Sequence, residues 1–360
     1  MLKGGTMNIE IIKRILTIVS FSFSIVVLII PFIRKIAFEV NAIDIPGGRH
    51  IHKKATPKLG GLAIFLGFLF GYMVFGTHSP TMNAILIGAF IILLTGVIDD
   101  ICDLDPFTQF IGQLVAACII VFYGNMLIKD VSIFGLYINF SWMSYPLTIF
   151  FIVGCINCIN FIDGLDGLSG GICSIYYLTV GIIATMQGKL GLDFILTFVM
   201  LGSTLGFLVY NFHPASIFAG NSGSMFMGYI ISVIALLGFK NVTMTSLIIP
   251  LLILAIPILD TAFAILRRMI KRKNIFKADG LHIHHQLINR NLSQTKAVLI
   301  IYAIDILFAV ATIIFVLGDR NIGVIIYAIL FIIMLIFVVK TNVLFPKELK
   351  DKLKQKIKGY

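Results

Sequence analysis

Four polar clusters interrupt a chain that is otherwise strongly apolar. They read IDDICDLD (98–105), NCINFIDGLDG (157–167), NFHPASIFAGNSGS (211–224) and GLHIHHQL (280–287). Carboxylate and carboxamide oxygens dominate the first three. Mg²⁺ prefers such oxygen ligands, usually takes one or two protein carboxylates, and completes its shell with waters and substrate phosphates. The clusters therefore predict a site for a divalent cation and a phosphate-bearing substrate, with Mg²⁺ as the cofactor and Mn²⁺ as the alternative.

The first acidic pair directly follows an apolar run. Asp99 and Asp100 come after Ile98, and no Lys or Arg follows them before Lys129. Carboxylates at a membrane boundary without basic neighbours are costly unless a cation or a proton compensates them. Helix capping explains one such aspartate and explains a pair poorly. We therefore predict that Asp99 and Asp100 are catalytic or metal-binding residues.

The second acidic pair has helical spacing. Asp163 and Asp166 are three positions apart, and Asn157 and Asn160 extend the same i, i+3 series. Side chains at this spacing share one face of a helix. We therefore expect both aspartates to lie on one face at a helix start, as one wall of a cation and phosphate site.

Basic and imidazole side chains could meet the phosphates. Phosphate contact is predicted for a lysine, two arginines and a histidine cluster, which are Lys53, Arg267, Arg268, His282, His284 and His285. The H-x-H-H tract is also typical of metal binding, and both interpretations remain open. Most of the remaining cations are explained by membrane topology alone.

Composition identifies the elements that must position these residues. Of the 360 residues 59% are hydrophobic and 12% are charged, against about a quarter charged in soluble domains. Apolar runs long enough to span a bilayer recur throughout. We predict an all-α polytopic membrane protein with about eleven transmembrane helices, at 15–33, 60–76, 82–98, 108–124, 146–162, 169–186, 194–211, 225–239, 245–266, 297–317 and 322–340. Alternating polar and apolar residues predict a short hairpin within 124–146.

The positive charges predict the orientation. Of the 28 Lys and Arg residues, six lie in 34–59, eight in 267–296 and seven in 340–358. The positive-inside rule then places the N-terminus outside and the C-terminus in the cytoplasm. The net charge of +11 is therefore a topology signal, and no nucleic-acid partner is expected.

This orientation puts all the polar clusters on one side. We predict a single transmembrane catalytic domain over 1–340 and a basic cytoplasmic tail over 341–360 that lies on anionic membrane lipids. The active site is predicted to be assembled from five cytoplasmic loops, which are 34–59, 99–108, 157–168, 211–224 and 267–296.

The ordered motifs resemble those of the polyprenyl-phosphate N-acetylhexosamine-1-phosphate transferases. The resemblance covers about 44 to 310 and rests on HKKATPKLGGLAIF, GVIDDICDL, NCINFIDGLDGL, NFHPASIFAGNSGS, PILDTAFAILRR and HIHHQLINRNLSQTKAVL. The H-x-H-H form is similar to that of bacterial enzymes using UDP-GlcNAc. The resemblance implies transfer of GlcNAc-1-phosphate from UDP-GlcNAc to undecaprenyl phosphate at the bacterial plasma membrane. That reaction is the first membrane step of a cell-envelope glycan such as wall teichoic acid or O-antigen.

The resemblance also implies roles for individual residues. Asp99 would contact or deprotonate the lipid phosphate, with Asp100 beside it as a metal ligand. Asp163 would be a second metal ligand in the nucleotide and metal wall that also contains Asn157, Asn160 and Asp166. Phe218 would stack on uracil, and Asn211 would lie near the nucleoside. Lys53 and the histidine loop, with His284 and His285 as catalytic residues, would hold the phosphates.

One position departs from the family pattern. Where the family reads G-D-[ST]-G-S, this chain reads Gly220-Asn221-Ser222-Gly223-Ser224. The resemblance makes that Asp a metal ligand, so a carboxamide there should lower divalent-cation affinity and turnover. We hypothesise that Asn221 is an inactivating substitution, with a natural variant as the alternative.

Other functions compete with this one. A phospho-MurNAc-pentapeptide translocase-type activity would use the same motifs with a different donor. An ion-coupled transporter would place carboxylates near the bilayer midplane and is expected to show inverted repeats, which the sequence does not display. An intramembrane aspartyl protease would not need a phosphate cage, and a scaffold would not need converging polar loops. A homodimer is a further possible assembly.

Overall fold

The computed structural model describes residues 6–45, 55–133, 136–239, 254–270, 283–288, 290 and 292–340. Twelve helices occur in these ranges. They are α1 (Thr6–Glu39), α2 (Gly60–Phe75), α3 (Pro80–Cys102), α4 (Pro106–Cys118), α5 (Ser144–Ile162), α6 (Leu168–Met186), α7 (Leu192–Asn211), α8 (Gly220–Phe239), α9 (Ala255–Ile270), α10 (Ile283–Ile288), α11 (Gln294–Leu317) and α12 (Arg320–Lys340). A π-helical turn, Ile119–Tyr123, extends α4.

Two short antiparallel strand pairs accompany the helices. Strands β3 (Asp130–Ile133) and β4 (Leu136–Asn139) form the hairpin predicted within 124–146. Strands β1 (Ile43–Asp44) and β2 (Thr56–Pro57) join the two ends of the loop between α1 and α2. The sequence analysis did not predict this second pair, because two-residue strands carry no readable alternation of polar and apolar residues.

The polytopic helical membrane class is confirmed. Eight helices in the described ranges are long and apolar enough to cross a bilayer, and α2 and the first part of α12 are shorter apolar helices. The predicted span at 245–266 begins outside the described residues, and α9 covers its second half. The count of eleven spans and the orientation of the termini stay predictions.

Helix α8 forms the centre of the bundle. It packs against α2, α3, α5 and α7, and nearly all its side chains are buried. Its first turn approaches its neighbours closely because glycines face it: a Cβ on Gly96 of α3 would lie 2.3 Å from the Ser222 Cα. Small residues at helix contacts allow backbones to approach in this way. The beginning of α8 is therefore held tightly against the end of α3.

One predicted helix end and one predicted helix start were wrong, and both concern the acidic pairs. Helix α3 continues to Cys102, so Asp99 and Asp100 lie in its last turn rather than after it. Helix α5 ends at Ile162, and Asp163 is the first residue beyond it. Asp166 lies in the loop that follows, where Gly167 has a φ of +81°. Such a left-handed conformation suits glycine and interrupts the helix, so the second pair does not share a helical face.

Candidate functional site

Asp100 caps the first turn of α8 from the neighbouring helix α3. Its Oδ1 accepts a hydrogen bond from the Asn221 N–H at 2.8 Å. Its Oδ2 accepts from the Ser222 N–H at 3.1 Å and the Ser222 hydroxyl at 2.7 Å. The first amides of a helix have no intrahelical acceptor, and a carboxylate there also faces the positive end of the helix dipole. Both oxygens of Asp100, which is 6% exposed, are thus used by the fold.

Asp99 is engaged just as fully, by one backbone N–H and two side-chain amides. Its Oδ1 accepts from the Leu104 N–H at 2.7 Å and from the Gln109 amide at 2.8 Å. Its Oδ2 accepts from the Asn221 side-chain amide. The Asn221 oxygen in turn accepts from the Asn160 amide at 2.6 Å. One hydrogen-bonded chain therefore joins α3, α8 and α5 through Asp99, Asn221 and Asn160.

The Asn221 carboxamide needs both of its functional groups in this arrangement. Its amide donates to a carboxylate, and its oxygen accepts from another amide. An aspartate at 221 could still accept from Asn160 but would place a carboxylate oxygen against Asp99. Two adjacent carboxylates require a shared proton or a cation. The Asn221 side-chain N–H thus satisfies Asp99 directly, whereas an aspartate at 221 would need a proton or a cation between the two carboxylates.

Asn157 lies one turn before Asn160 and faces α4. Its amide donates to the Gln113 oxygen at 2.6 Å and to the Val153 carbonyl at 2.9 Å. Gln113 also donates to the Met225 sulfur of α8 at 3.4 Å. The two asparagines therefore lie in one connected polar layer between α4, α5 and α8.

The second acidic pair occupies the loop between α5 and α6. Asp163 Oδ1 accepts from the Ser169 hydroxyl at 2.5 Å. Loss of water around the side chain raises the Asp163 pKa to about 6; the Ser169 hydrogen bond lowers this pKa and the nearby Asp166 charge raises it. Asp166 Oδ2 lies 2.7 Å from His213 Nδ1 and accepts from the Ala215 N–H at 3.1 Å. Unlike the first pair, each carboxylate keeps one oxygen that no described hydrogen bond uses.

Asn211 and Tyr302 hold this loop in place. The buried Asn211 accepts from the Gly167 N–H at 2.9 Å and donates to the Ile217 carbonyl at 3.0 Å. The Tyr302 hydroxyl of α11 donates to the Gly167 carbonyl. Asn211, predicted as a nucleoside contact, thus has a demonstrable positioning role between two loops.

Phe218 joins the loop before α8 to the start of α2. Its N–H donates to the Pro57 carbonyl at 2.8 Å, and its carbonyl accepts from the Gly60 N–H at 2.9 Å. A Cβ on Gly60 would lie 2.5 Å from that carbonyl oxygen, so glycine is required for the contact. The half-buried ring of Phe218 stays the predicted uracil-stacking group.

The basic residues of the prediction are described only in part. Lys53 and His282 lie outside the described residues. His284 and His285 lie in α10 and Arg267 lies in α9, and their side chains are not described. Arg268 of α9 is half-buried. Their proposed phosphate contacts therefore stay predictions, as do the individual roles of the acidic residues.

Several residues that contact the acidic and asparagine side chains were missed by the sequence analysis. Gln109 and Gln113 bind the acidic and asparagine clusters, and their signal was two glutamines four residues apart in an apolar helix. Ser169 and His213 contact the second acidic pair. His213 lies within a motif already quoted, but neither its spacing nor its charge linked it to Asp166.

The donor chemistry of the described residues fits Mg²⁺ in a restricted way. All candidate donors are oxygens, as this ion prefers. Within the described ranges, no three acidic, cysteine or histidine side chains group closely enough to hold an ion by themselves. This is compatible with a cation held mainly by substrate phosphates and one or two protein oxygens. Asp163, half-buried with one uncommitted oxygen, fits that role more readily than Asp100.

The chain is similar in sequence to known proteins. Residues 82–239 match the family model described as glycosyl transferase family 4. A Bacillus subtilis protein named "Probable undecaprenyl-phosphate N-acetylglucosaminyl 1-phosphate transferase" is 42% identical over 307 residues, covering 84% of this chain and 86% of the relative. A Mycobacterium tuberculosis decaprenyl-phosphate N-acetylglucosaminephosphotransferase is 30% identical over 302 residues, covering 75% and 74%. An Escherichia coli O157:H7 undecaprenyl-phosphate alpha-N-acetylglucosaminyl 1-phosphate transferase is 26% identical over 281 residues, covering 75% of each chain. The matched region contains both acidic pairs and Asn221, and the chain belongs to glycosyl transferase family 4.

Proposed function

We propose that this chain transfers GlcNAc-1-phosphate from UDP-GlcNAc to undecaprenyl phosphate, giving undecaprenyl-diphosphate-GlcNAc and UMP. The relatives from B. subtilis and E. coli are named for this transfer. The observation that carries the proposal is the contact between Asp99 and Asn221, 122 positions apart in sequence, which Asn160 extends to a third helix. Three of the separate polar motifs, those carrying Asp99, Asn160 and Asn221, are thereby joined by hydrogen bonds.

The chemistry is a phosphoryl transfer between two oxygens. A lipid-phosphate oxygen attacks the phosphorus that carries GlcNAc, the bond from that phosphorus to the oxygen bridging to UMP breaks, and UMP leaves with the electron pair. Both substrates are anionic, so charge compensation and alignment are the main tasks of the protein. The rigid junction of α3, α5 and α8 supplies the alignment, because its polar groups are already fixed by one another.

Mg²⁺, with Mn²⁺ as the alternative, is part of the proposal. When bound, the ion supplies neutralisation of charge on the diphosphate. Asp163 and the Asn221 carboxamide oxygen are the residues we propose to hold it. Asp100 stays a predicted ligand, although a cation there would compete with the α8 amides. The cationic loops carrying Lys53, Arg267 and the histidines are proposed to hold the substrate phosphates.

The cellular setting follows from the same proposal. We propose that the enzyme lies in a bacterial plasma membrane with its site facing the cytoplasm, where both substrates would be found. The distribution of Lys and Arg supports an external N-terminus and a cytoplasmic C-terminus, with the basic tail on membrane lipids. A homodimer stays a prediction. The product would begin a cell-envelope glycan.

The alternatives are not favoured by the comparisons. The relatives reported above are named for GlcNAc transfer, so a phospho-MurNAc-pentapeptide donor has no support among them. An ion-coupled transporter would not account for membership of a glycosyl transferase family.

A donor screen tests the proposed function. The purified chain and its Asn221→Asp variant would be supplied with undecaprenyl phosphate, Mg²⁺ and either UDP-GlcNAc or UDP-MurNAc-pentapeptide. We expect a labelled lipid product and stoichiometric UMP with UDP-GlcNAc alone, increased in Asn221→Asp if the carboxamide limits turnover. Equal rates for the two chains would show that Asn221 is not inactivating. Product from the pentapeptide donor only, or from neither donor in either chain, would contradict the proposal.

A further inference from the structure

His213, in the loop between α7 and α8, contacts the second acidic pair but has no role in the reaction proposed above. Its side chain is 41% exposed, whereas that of its partner Asp166 is 10% exposed. His213 Nδ1 lies 2.7 Å from Asp166 Oδ2. A half-exposed imidazole is thus fixed at one nitrogen by a nearly buried carboxylate.

The contact determines which face of the imidazole is available. Asp166 Oδ2 also accepts the Ala215 N–H, so this oxygen acts as an acceptor and we assign the ring hydrogen to Nδ1. In a neutral histidine the other nitrogen is then a hydrogen-bond acceptor. No described hydrogen bond uses Nε2 of His213. In the neutral form of the ring, the Asp166 contact therefore orients Nε2 as an acceptor that no described hydrogen bond uses.

Contacts other than that of His213 already hold the loop between α7 and α8 against the loop between α5 and α6. Asp166 is already bound by the Ala215 amide. Asn211 independently joins the two loops through Gly167 and Ile217. A purely structural clasp would also be expected to be buried, and His213 is not. These observations favour a role for His213 in contacting a ligand over a purely structural role.

We propose that His213 binds the nucleotide sugar by accepting a hydrogen bond at Nε2, with Asp166 as the residue that orients the ring. This inference rests on the proposed function for the identity of the ligand. The hydrogen-bond donor is a hydroxyl or N–H group, which UDP-GlcNAc carries both on its ribose and on its acetamido sugar. His213 contacts Asp166 of the predicted nucleotide wall and lies in the same loop as Phe218, so this acceptor lies beside that wall.

Binding measurements on four chains test the proposal. UDP and UDP-GlcNAc affinities would be measured by calorimetry for the wild type, His213→Ala, His213→Gln and His78→Ala, in the presence of Mg²⁺. His78 is an exposed histidine before α3 and serves as the matched control. One neutral hydrogen bond contributes about 1 kcal/mol, so His213→Ala should weaken UDP-GlcNAc binding roughly fivefold. His213→Gln, which retains an acceptor oxygen, should restore most of the affinity, and His78→Ala should change nothing.

The two ligands separate the possible sources of the donor. Equal weakening for UDP and UDP-GlcNAc would assign the hydrogen bond to the nucleoside, and weakening for UDP-GlcNAc alone would assign it to the sugar. Unchanged affinity in His213→Ala, or an equal loss in the Gln variant, would overturn the proposal.

Failure of the proposed function would appear separately. A chain that binds UDP-GlcNAc and shows the His213 effect, yet makes no lipid product even as Asn221→Asp, would contradict the reaction and support the binding residue. A chain that makes the lipid product while its His213→Ala variant binds UDP-GlcNAc normally would support the reaction and contradict the role of His213.

Discussion

The two acidic pairs look alike in sequence and differ in what the fold does with them. Asp99 and Asp100 are 3% and 6% exposed. All four of their carboxylate oxygens accept hydrogen bonds from α4, from α8 or from the loop between α3 and α4. Asp163 and Asp166 each use one oxygen. The first pair therefore assembles the helices, whereas the second keeps coordination capacity for a ligand. Paired aspartates beside an apolar run are a signal for a site, but not for the role of each member.

The largest expected effect separates the pairs by stability. Asp100→Ala leaves two amides of α8 and the Ser222 hydroxyl without their acceptor, and each buried unsatisfied donor costs about 1–3 kcal/mol. We expect a loss of at least ~3 kcal/mol in the free energy of unfolding, measured as a large fall in Tm in detergent.

Asp163→Ala is the matched control for that measurement. It removes one hydrogen bond from Ser169 and should cost about 1 kcal/mol or less, while abolishing most transfer. Similar falls in Tm for the two variants would show that the contrast between the pairs is wrong.

A second prediction is that Asp99 requires a nearby cation once residue 221 is also a carboxylate. Asn221→Asp should place a carboxylate against Asp99 and destabilise the chain by about 1–3 kcal/mol without divalent cations. Addition of Mg²⁺ or Mn²⁺ should restore its Tm, whereas the wild type should respond weakly. Asn221→Ala, which provides no third carboxylate, is the control for non-specific cation effects. The idea fails if the wild type and Asn221→Asp show the same cation-dependent shift.

The prediction with the smallest expected effect concerns how the stability contributed by Asp163 depends on pH. The Asp163 pKa is raised from 3.8 to about 6, so the folded chain binds this proton more strongly than the unfolded chain. Asp163 should therefore stabilise the fold most below pH 4, and this contribution should be lost as the pH rises through about 6.

Asp163→Asn, which resembles the protonated form, should remove that pH dependence. We expect the Tm of the variant to rise relative to wild type between pH 4.5 and 7.5, and Mg²⁺ to narrow the difference at pH 7.5. A constant difference across this range would contradict the raised pKa.

The sequence analysis predicted much of the architecture because hydrophobic length is a local property. Spans such as 169–186 and 194–211 agree closely with α6 and α7, and the hairpin within 124–146 was also predicted. The local structure around the two acidic pairs was not. Asp99 remains in α3 because a left-handed Asp103 ends that helix. Asp163 and Asp166 share no helical face because they lie in the loop between α5 and α6, where Gly167 has a positive φ.

The candidate site was predicted as a set of residue types and not as a set of contacts. Asn160 and Asn221 were both named, but their mutual hydrogen bond joins α5 to α8 and has no sequence signal. Asp100 was named as a metal ligand, yet its visible role as a cap for another helix requires the end of α3 to pack against the start of α8. Gln113 and His213 were missed for the same reason.

The sequence by itself determined the membrane class, the approximate spans and many of the residues of the candidate site. The length of the apolar runs, the hydropathy and the order of the motifs can all be read along the chain. Only the tertiary structure decided which carboxylate oxygens are committed to the fold and which are left available. That distinction depends on distances between helices far apart in sequence, and a hydrogen bond is lost over a displacement of about one ångström.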